Sequence, residues 1–135
     1  MIDKLIEQLK RHEGFRSKPY KDTVGKLTIG YGRNIEDVGI SVQEAETLLL
    51  NDIEWAVEEC AQLFLNWPEL PDDVQVVLAN MCFNLGKVRL GRFIKMRMAI
   101  ADKDFVRAAE EMKDSKWYTQ VGRRSVELVE MMRSA

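Results

Sequence analysis

Two carboxylates near the amino terminus, Glu13 and Asp22, have types and spacing suited to acid–base chemistry. Hydrolysis of a glycosidic bond needs one carboxyl group to protonate the leaving oxygen and a second one, across the bond, to assist the attacking water. Thr28, six residues beyond Asp22, carries a hydroxyl that can orient that water. The spacing alone favours the ordinary interpretation, in which Glu13 ends a helix and Asp22 starts a turn, because 22 acidic residues in 135 form many such pairs.

The elements around these residues can hold a carboxylate on each wall of a cleft. Glu13 follows an amphipathic pattern, Ile2, Leu5, Ile6 and Leu9, which predicts a first helix to about residue 12 with Gly14 as its stop. Residues 16–35 lose the helical period and favour short strands, with a turn at 23–26. The sequence therefore predicts a small antiparallel hairpin, or three short strands, folding back beside the end of the helix.

A long helix is predicted to begin at Ser41, because Ser41 and Glu44 form a capping-box pattern. Its apolar stripe continues for more than five turns until Pro68 and Pro71 end it. Four further helical patterns follow, over residues 74–86, 90–98, 105–112 and 126–132.

This order of elements predicts an α+β fold in a single domain, residues 1–135. We expect a small β-sheet lobe at about 13–40, a connecting helix at about 41–66, and a helical lobe at about 72–135 that also includes helix 1–12. A chain of this length can bury a core without disulfides or metals.

The charge is unevenly distributed although the net charge is only −2. Residues 1–35 carry a net +4, residues 36–73 a net −11 and residues 74–135 a net +5. One interpretation is a solvated acidic helix between two mildly basic segments. The other places the basic segments across a cleft that holds an anionic polymer.

The two cysteines, Cys60 and Cys82, form no metal-binding pattern, and both fall on apolar helical positions. We expect buried free thiols, with a disulfide or a nucleophilic pair with His12 as less favoured alternatives. No metal or other cofactor is expected. No stretch is apolar enough for a stable membrane insertion, and the charged amino terminus is unlike a signal peptide.

Three segments around the carboxylates, residues 13–16, 19–25 and 27–32, strongly resemble the signature of the phage-type lysozymes, in particular the T-even phage lysozyme class of glycoside hydrolase family 24. That signature is Glu, eight residues, Asp, five residues and Thr. The resemblance continues in order through the segments 39–46, 80–86, 115–120 and 123–124, and so covers essentially the whole chain.

The resemblance implies a lysozyme-like fold and a role for each matching residue. Glu13 matches the general acid, Asp22 the partner carboxylate and Thr28 the residue that positions water. Arg124 matches an arginine that pairs with the catalytic glutamate. The remaining matches are Asn34 and Phe83, which would touch the glycan, Asn84 beside the acid, and Trp117 and Tyr118, which would form a structural pair.

The sequence departs from the T-even enzyme in two ways. The stretch before Ser41 is much shorter, so we expect a reduced small lobe and a more open cleft. Arg33 stands where that enzyme has a histidine, which we expect to remove an ion pair and to add positive charge near the glycan. These departures concern substrate range and affinity and leave Glu13, Asp22 and Thr28 in place.

The resemblance implies an endolysin, a muramidase that cleaves the β-1,4 bond between N-acetylmuramic acid and N-acetylglucosamine in peptidoglycan and leads to host cell lysis. Inversion is expected, whereas carboxyl groups only about 5 Å apart would indicate retention. A monomer in the host cytoplasm would reach the wall through a lesion made by a separate membrane-permeabilising phage protein. The alternatives are a lytic transglycosylase, which needs only one glutamate, and a non-catalytic wall-binding module. Nucleic-acid binding is poorly supported because the basic residues are scattered.

Overall fold

The computed structural model describes all 135 residues as eight helices and one three-stranded antiparallel sheet of order β1-β2-β3. The predicted α+β class is confirmed, and the arrangement is consistent with a lysozyme-like fold. No helix combines the length and the apolar character needed to cross a membrane. In chain order the elements are α1 (Ile2–Glu13), β1 (Arg16–Lys21), β2 (Leu27–Gly30), β3 (Arg33–Asn34), α2 (Val42–Leu63), α3 (Asp72–Leu85), α4 (Lys87–Gly91), α5 (Ile94–Ala101), α6 (Phe105–Lys113), α7 (Lys116–Val121) and α8 (Arg123–Arg133).

The chain forms two compact units, Met1–Thr47 and Leu48–Ala135. The first unit contains α1, the sheet and the first turns of α2, and the second contains the rest of α2 and helices α3 to α8. Helix α2 therefore contributes residues to both units, as a connecting helix would. The grouping of α1 with a helical lobe stays a prediction.

The first unit is held mainly by backbone pairing and polar contacts. Strand β2 lies between its neighbours, with Thr28 opposite Tyr20 on β1 and opposite Asn34 on β3. Among residues 1–47 only Thr28 is buried. Because so small a sheet is marginal by itself, the precise positions of its side chains depend on hydrogen bonds and ion pairs.

The predicted capping box at the start of α2 is confirmed. The Ser41 N–H donates to Glu44 Oε1 (2.9 Å), and the Glu44 N–H donates to Ser41 Oγ (3.1 Å). Arg33 completes this cluster with a bidentate ion pair, in which Nη1 donates to Glu44 Oε1 (2.9 Å) and Nη2 donates to Glu44 Oε2 (2.6 Å). Arg33 thus forms an ion pair within the first unit, and its effect on glycan binding stays a prediction.

Protonation of Glu44 is expected to weaken this cluster. The Arg33 hydrogen bond, followed by the one from the Ser41 N–H, lowers the pKa of Glu44 from its usual 4.5 to about 2. A depressed carboxyl pKa stabilises the fold above the unfolded-state value and loses that effect as pH falls through the folded value. Glu44→Gln should therefore lower the Tm at pH 7, and the difference from the parent protein should close as pH falls from about 4.5 to 2.

Thermal unfolding followed by circular dichroism at pH 7, 4 and 2 measures this difference. Glu46→Gln is the matched control, since Glu46 is an exposed acid one half-turn along the same helix with no ion pair. A Glu44→Gln deficit that is the same at pH 2 as at pH 7 would contradict the linkage.

The second unit contains the hydrophobic core. Its fully buried side chains come from α2, α3, α4, α5, α6 and α8, and include Cys60, Val74, Val77, Leu78, Met81, Leu90, Met96, Ile100, Met112 and Met132. Cys60 and Cys82 are buried free thiols, as predicted. Burial raises the pKa of both thiols, which keeps them protonated and unreactive.

The prediction of one helix over residues 90–98 is wrong, because this segment forms two helices, α4 and α5. Phe93 leaves the helical conformation at φ −77°, ψ 63°. The guanidinium of Arg97 donates to the Gly91 carbonyl (2.9 Å) and to the Leu63 carbonyl (3.2 Å), which satisfies acceptors at the ends of α4 and α2. Helix α7 was not predicted either; it begins at Ser115, whose hydroxyl accepts from the Tyr118 N–H.

Candidate active site

Glu13 is the last residue of α1, and its carboxyl group lies directly against Gly32 in the turn between β2 and β3. Gly14 ends the helix at φ 69°, with its N–H donating to the Lys10 carbonyl (2.9 Å). A Cβ atom added to Gly32 would stand 2.7 Å from Glu13 Oε2 and 2.8 Å from Glu13 Cδ. Only glycine permits this approach, and its φ of +79° is also one that other residues rarely adopt.

Asp22 follows β1 and has one carboxylate oxygen fixed by the turn. Its Oδ1 accepts from the Val24 N–H (3.0 Å) and from the Lys26 N–H (2.8 Å). This is the local arrangement by which aspartate stabilises a turn, and it confirms the predicted turn at residues 23–26. The other oxygen, Oδ2, accepts no hydrogen bond from residues 1–47, so it has both lone pairs available for another donor.

Thr28 lies on β2 beside this turn. Its hydroxyl donates to the Lys26 carbonyl (2.9 Å), so its oxygen keeps its acceptor capacity. The backbone of Lys26 therefore contacts the side chain of Asp22 through its N–H and that of Thr28 through its carbonyl. The side chains of Asp22 and Thr28 are thus linked through the backbone of a single residue, Lys26.

Asn34, on β3 opposite Thr28, has a side-chain amide that is hydrogen-bonded within the first unit. Its Oδ1 accepts from the Asp37 N–H (3.0 Å), and its Nδ2 donates to Asp37 Oδ2 (3.1 Å). The amide thus closes the turn after β3. A contact between Asn34 and glycan stays a prediction.

Phe83 and Arg124 belong to the second unit and line one apolar groove of about 390 Å³ together with Leu49, Ile53, Ala56, Val76, Ala79 and Asn80. The Arg124 guanidinium donates from Nε to Asn80 Oδ1 (2.8 Å) and from Nη2 to the Asn80 carbonyl (3.2 Å). Asn80 therefore fixes the direction of this side chain. The pairing of Arg124 with Glu13 stays a prediction.

Asn84 supports an aromatic side chain of the same unit. Its Oδ1 accepts from the indole N–H of Trp117 (3.2 Å), and Trp117 packs edge-on against Phe93 with ring centroids 6.3 Å apart. Trp117 is buried and Tyr118 packs against the core, in agreement with their predicted structural role. A larger groove, about 670 Å³, runs past Trp117 and is lined by four basic residues, Arg89, Arg92, Lys95 and Lys116, and by two acidic ones, Glu111 and Asp114.

The structure thus places Glu13, Asp22, Thr28 and Asn34 in the first compact unit and Phe83, Asn84 and Arg124 in the second. In the first unit, the Glu13 carboxyl group lies against the turn between β2 and β3, and Asp22 lies in the turn between β1 and β2. A protonated carboxyl group can donate a proton and an ionised one can accept it, which are the two steps of general acid–base chemistry.

Comparison with known proteins identifies the family of this chain. The sequence profile of the phage lysozymes matches residues 10–134. The chain belongs to the phage lysozyme family.

Three relatives differ in how much of their own length the match covers. A probable T4-type lysozyme 2 of Dictyostelium discoideum is 30% identical over 154 aligned residues, which cover 93% of this chain and 91% of that protein. The endolysin of Salmonella phage P22 is 34% identical over 90 residues, or 61% of this chain and 60% of the endolysin. The pre-baseplate central spike protein Gp5 of Enterobacteria phage T4 is 29% identical over 90% of this chain, which spans 26% of the spike protein.

As a member of the phage lysozyme family, the chain is a lysozyme, a hydrolase that degrades peptidoglycan. Sequence reasoning did not identify two residues that hold the candidate site of this lysozyme, Gly32 and Lys26. The signal for Gly32 was its position in a glycine-interrupted strand, which often marks a close approach to the backbone. Lys26 left no signal, because its role comes from its backbone and from an ion pair across eleven residues.

Proposed function

We propose that this lysozyme hydrolyses the β-1,4 bond between N-acetylmuramic acid and N-acetylglucosamine, as a T-even-class enzyme of glycoside hydrolase family 24. Glu13 protonates the leaving oxygen. Asp22 accepts a proton from a water molecule that Thr28 helps to orient, and that water attacks the anomeric carbon from the opposite face. The sugar is therefore released with inverted configuration.

The observation that carries this proposal is that both carboxyl groups are held in position and each keeps oxygen lone pairs free of hydrogen bonds within the first unit. Glu13 is seated against Gly32, and Asp22 is oriented through Oδ1 while Oδ2 retains its lone pairs. A base whose direction is set by backbone N–H groups does not have to reorganise when it takes a proton from water, which favours catalysis.

We propose that Arg124 pairs with Glu13, that Phe83, Asn34 and Asn84 contact glycan, and that the basic segments hold the anionic polymer. The fixed direction of Arg124 against Asn80 supports a positioning role for its charge, so Arg124→Ala should reduce activity less than loss of Glu13 does. No cofactor, metal or nucleic acid takes part.

We further propose that the protein acts as a monomeric endolysin. It would accumulate in the host cytoplasm, reach the wall through a lesion made by a separate membrane-permeabilising phage protein, and bring about host cell lysis. The endolysin of phage P22 among its relatives supports this role.

Product analysis tests the reaction. Purified sacculi digested with the enzyme should yield muropeptides with reducing N-acetylmuramic acid ends, measured by mass spectrometry, and the first product seen by proton NMR should be the α-anomer. Anhydro ends would instead identify a lytic transglycosylase. A β-anomer formed first would replace inversion by retention with Asp22 as nucleophile.

A further inference from the structure

Lys26 lies at the centre of the hydrogen bonds that orient Asp22 and Thr28. Its N–H donates to Asp22 Oδ1 (2.8 Å), and its carbonyl accepts from the Asp22 N–H (2.9 Å) and from the Thr28 hydroxyl (2.9 Å). A displacement of the Lys26 backbone would therefore disturb the hydrogen bonds that orient both side chains.

The side chain of Lys26 is held by two carboxylates from the turn that follows β3. Its ammonium Nζ lies 3.4 Å from Glu36 Oε2 and 3.3 Å from Asp37 Oδ1. Asp37 is itself fixed by both polar atoms of the Asn34 amide. The ammonium group of Lys26 is thus paired with a turn that the hydrogen bonds between Asn34 and Asp37 hold in place.

Backbone contacts reinforce the same anchor. The carbonyl of Leu27, the next residue, accepts from the N–H groups of Ile35 (3.0 Å) and Glu36 (3.3 Å). The Leu27 N–H donates to Glu36 Oε1 (3.3 Å). The turn after β3 therefore holds Lys26 by ion pairs and Leu27 by hydrogen bonds.

This anchor matters because the first unit has no apolar core that could fix the strand by packing, Thr28 being its only buried residue. Polar contacts then decide where the turn lies. Small displacements of catalytic groups are costly, since an error of about 1 Å can reduce the rate up to about 100-fold.

We infer that Lys26 is a positioning residue of this lysozyme: its ion pairs with Glu36 and Asp37 fix the turn in which its own backbone orients Asp22 and Thr28. The inference rests on the proposed roles of Asp22 and Thr28. Lys26 acts through those two residues and contacts no reacting atom.

The test is a set of variants assayed on solubilised, uncrosslinked glycan strands, with kcat and KM measured separately. Lys26→Met keeps the length of the side chain and removes its charge; kcat should fall about fivefold, the effect of an exposed ion pair, with KM unchanged within twofold. Lys26→Arg should recover most of kcat. Lys18→Met is the matched control, since Lys18 is an exposed lysine on β1 without an ion pair: it removes the same charge from the same basic segment and should keep the kcat of the parent enzyme.

A second variant tests the partners without touching Lys26. Glu36→Gln combined with Asp37→Asn should show the same loss of kcat, and adding Lys26→Met to this pair should cause no further loss. Losses that add up, or a Lys26→Met enzyme with the parent kcat, would overturn the inference. A lowered Tm with unchanged kcat would overturn it as well, because that is the result of a purely structural role.

Failure of the inference can be distinguished from failure of the proposed function. If Asp22→Asn and Thr28→Ala are both inactive while Lys26→Met is unaffected, only the positioning role is wrong. If Asp22→Asn and Thr28→Ala retain full activity, the proposed catalytic assignment is wrong whatever Lys26 does.

Discussion

Replacing Glu13 with glutamine is expected to lower kcat about 10³-fold, because the amide has the size of the acid but cannot protonate the leaving oxygen. The release of reducing ends from purified sacculi measures this loss. Lysis of bacteria with a permeabilised outer membrane should be abolished in parallel.

The variant should remain folded. Within residues 1–47 the Glu13 carboxyl group makes no hydrogen bond or ion pair, so its loss removes no polar contact from the first unit. The circular dichroism spectrum should match that of the parent protein, and the Tm should fall by no more than the loss of the proposed ion pair with Arg124 would cause. Glu7→Gln on the exposed face of the same helix is the control and should keep full activity. Full activity of Glu13→Gln in a folded protein would contradict its assignment as general acid.

Features encoded by neighbouring residues were predicted from the sequence. The Ser41–Glu44 capping box, the turn at 23–26 and the end of α3 at Gly86 each depend on a few consecutive side chains with known backbone preferences. The apolar stripe of the long helix similarly reports its own periodicity. The order of elements and the fold class followed from these local signals.

Features that depend on distant residues could not be predicted in this way. The break between α4 and α5 depends on Arg97 reaching the carbonyls of Gly91 and Leu63, the second of which lies 34 residues away. Arg33 finds its partner Glu44 eleven residues along the chain, a contact that forms only on folding and that no local pattern indicated.

The candidate site shows the same division. The candidate roles of Glu13, Asp22 and Thr28 followed from the resemblance to the phage-type lysozymes, whereas the contacts of their side chains involve Lys26 and Gly32. A sequence pattern records which side chains are present, but the direction in which a carboxylate points is set by the backbone atoms around it. The direction of each carboxylate could therefore not be predicted from the sequence.

Gly32→Ala is expected to lower kcat about 100-fold, because it places a methyl group where the Glu13 carboxyl now lies. The added Cβ would stand 2.7 Å from Oε2, so the carboxyl group must swing away from its present position. This substitution leaves Glu13 chemically intact and so tests its placement alone. Kinetics on solubilised glycan strands should show the loss in kcat.

Gly30→Ala separates this contact from backbone strain. Gly30 has nearly the same backbone angle, φ +71° against +79° for Gly32, but a Cβ at Gly30 would meet nothing within 4 Å. Both substitutions should therefore cost a similar amount of stability, about 1 kcal/mol, which thermal unfolding would report. If the two variants had equal kcat, any reduction in kcat would come from backbone strain, and the contact between Glu13 and Gly32 would have no part in catalysis. A kcat reduced only in Gly32→Ala would show that the closeness of one glycine to one carboxyl group sets the rate.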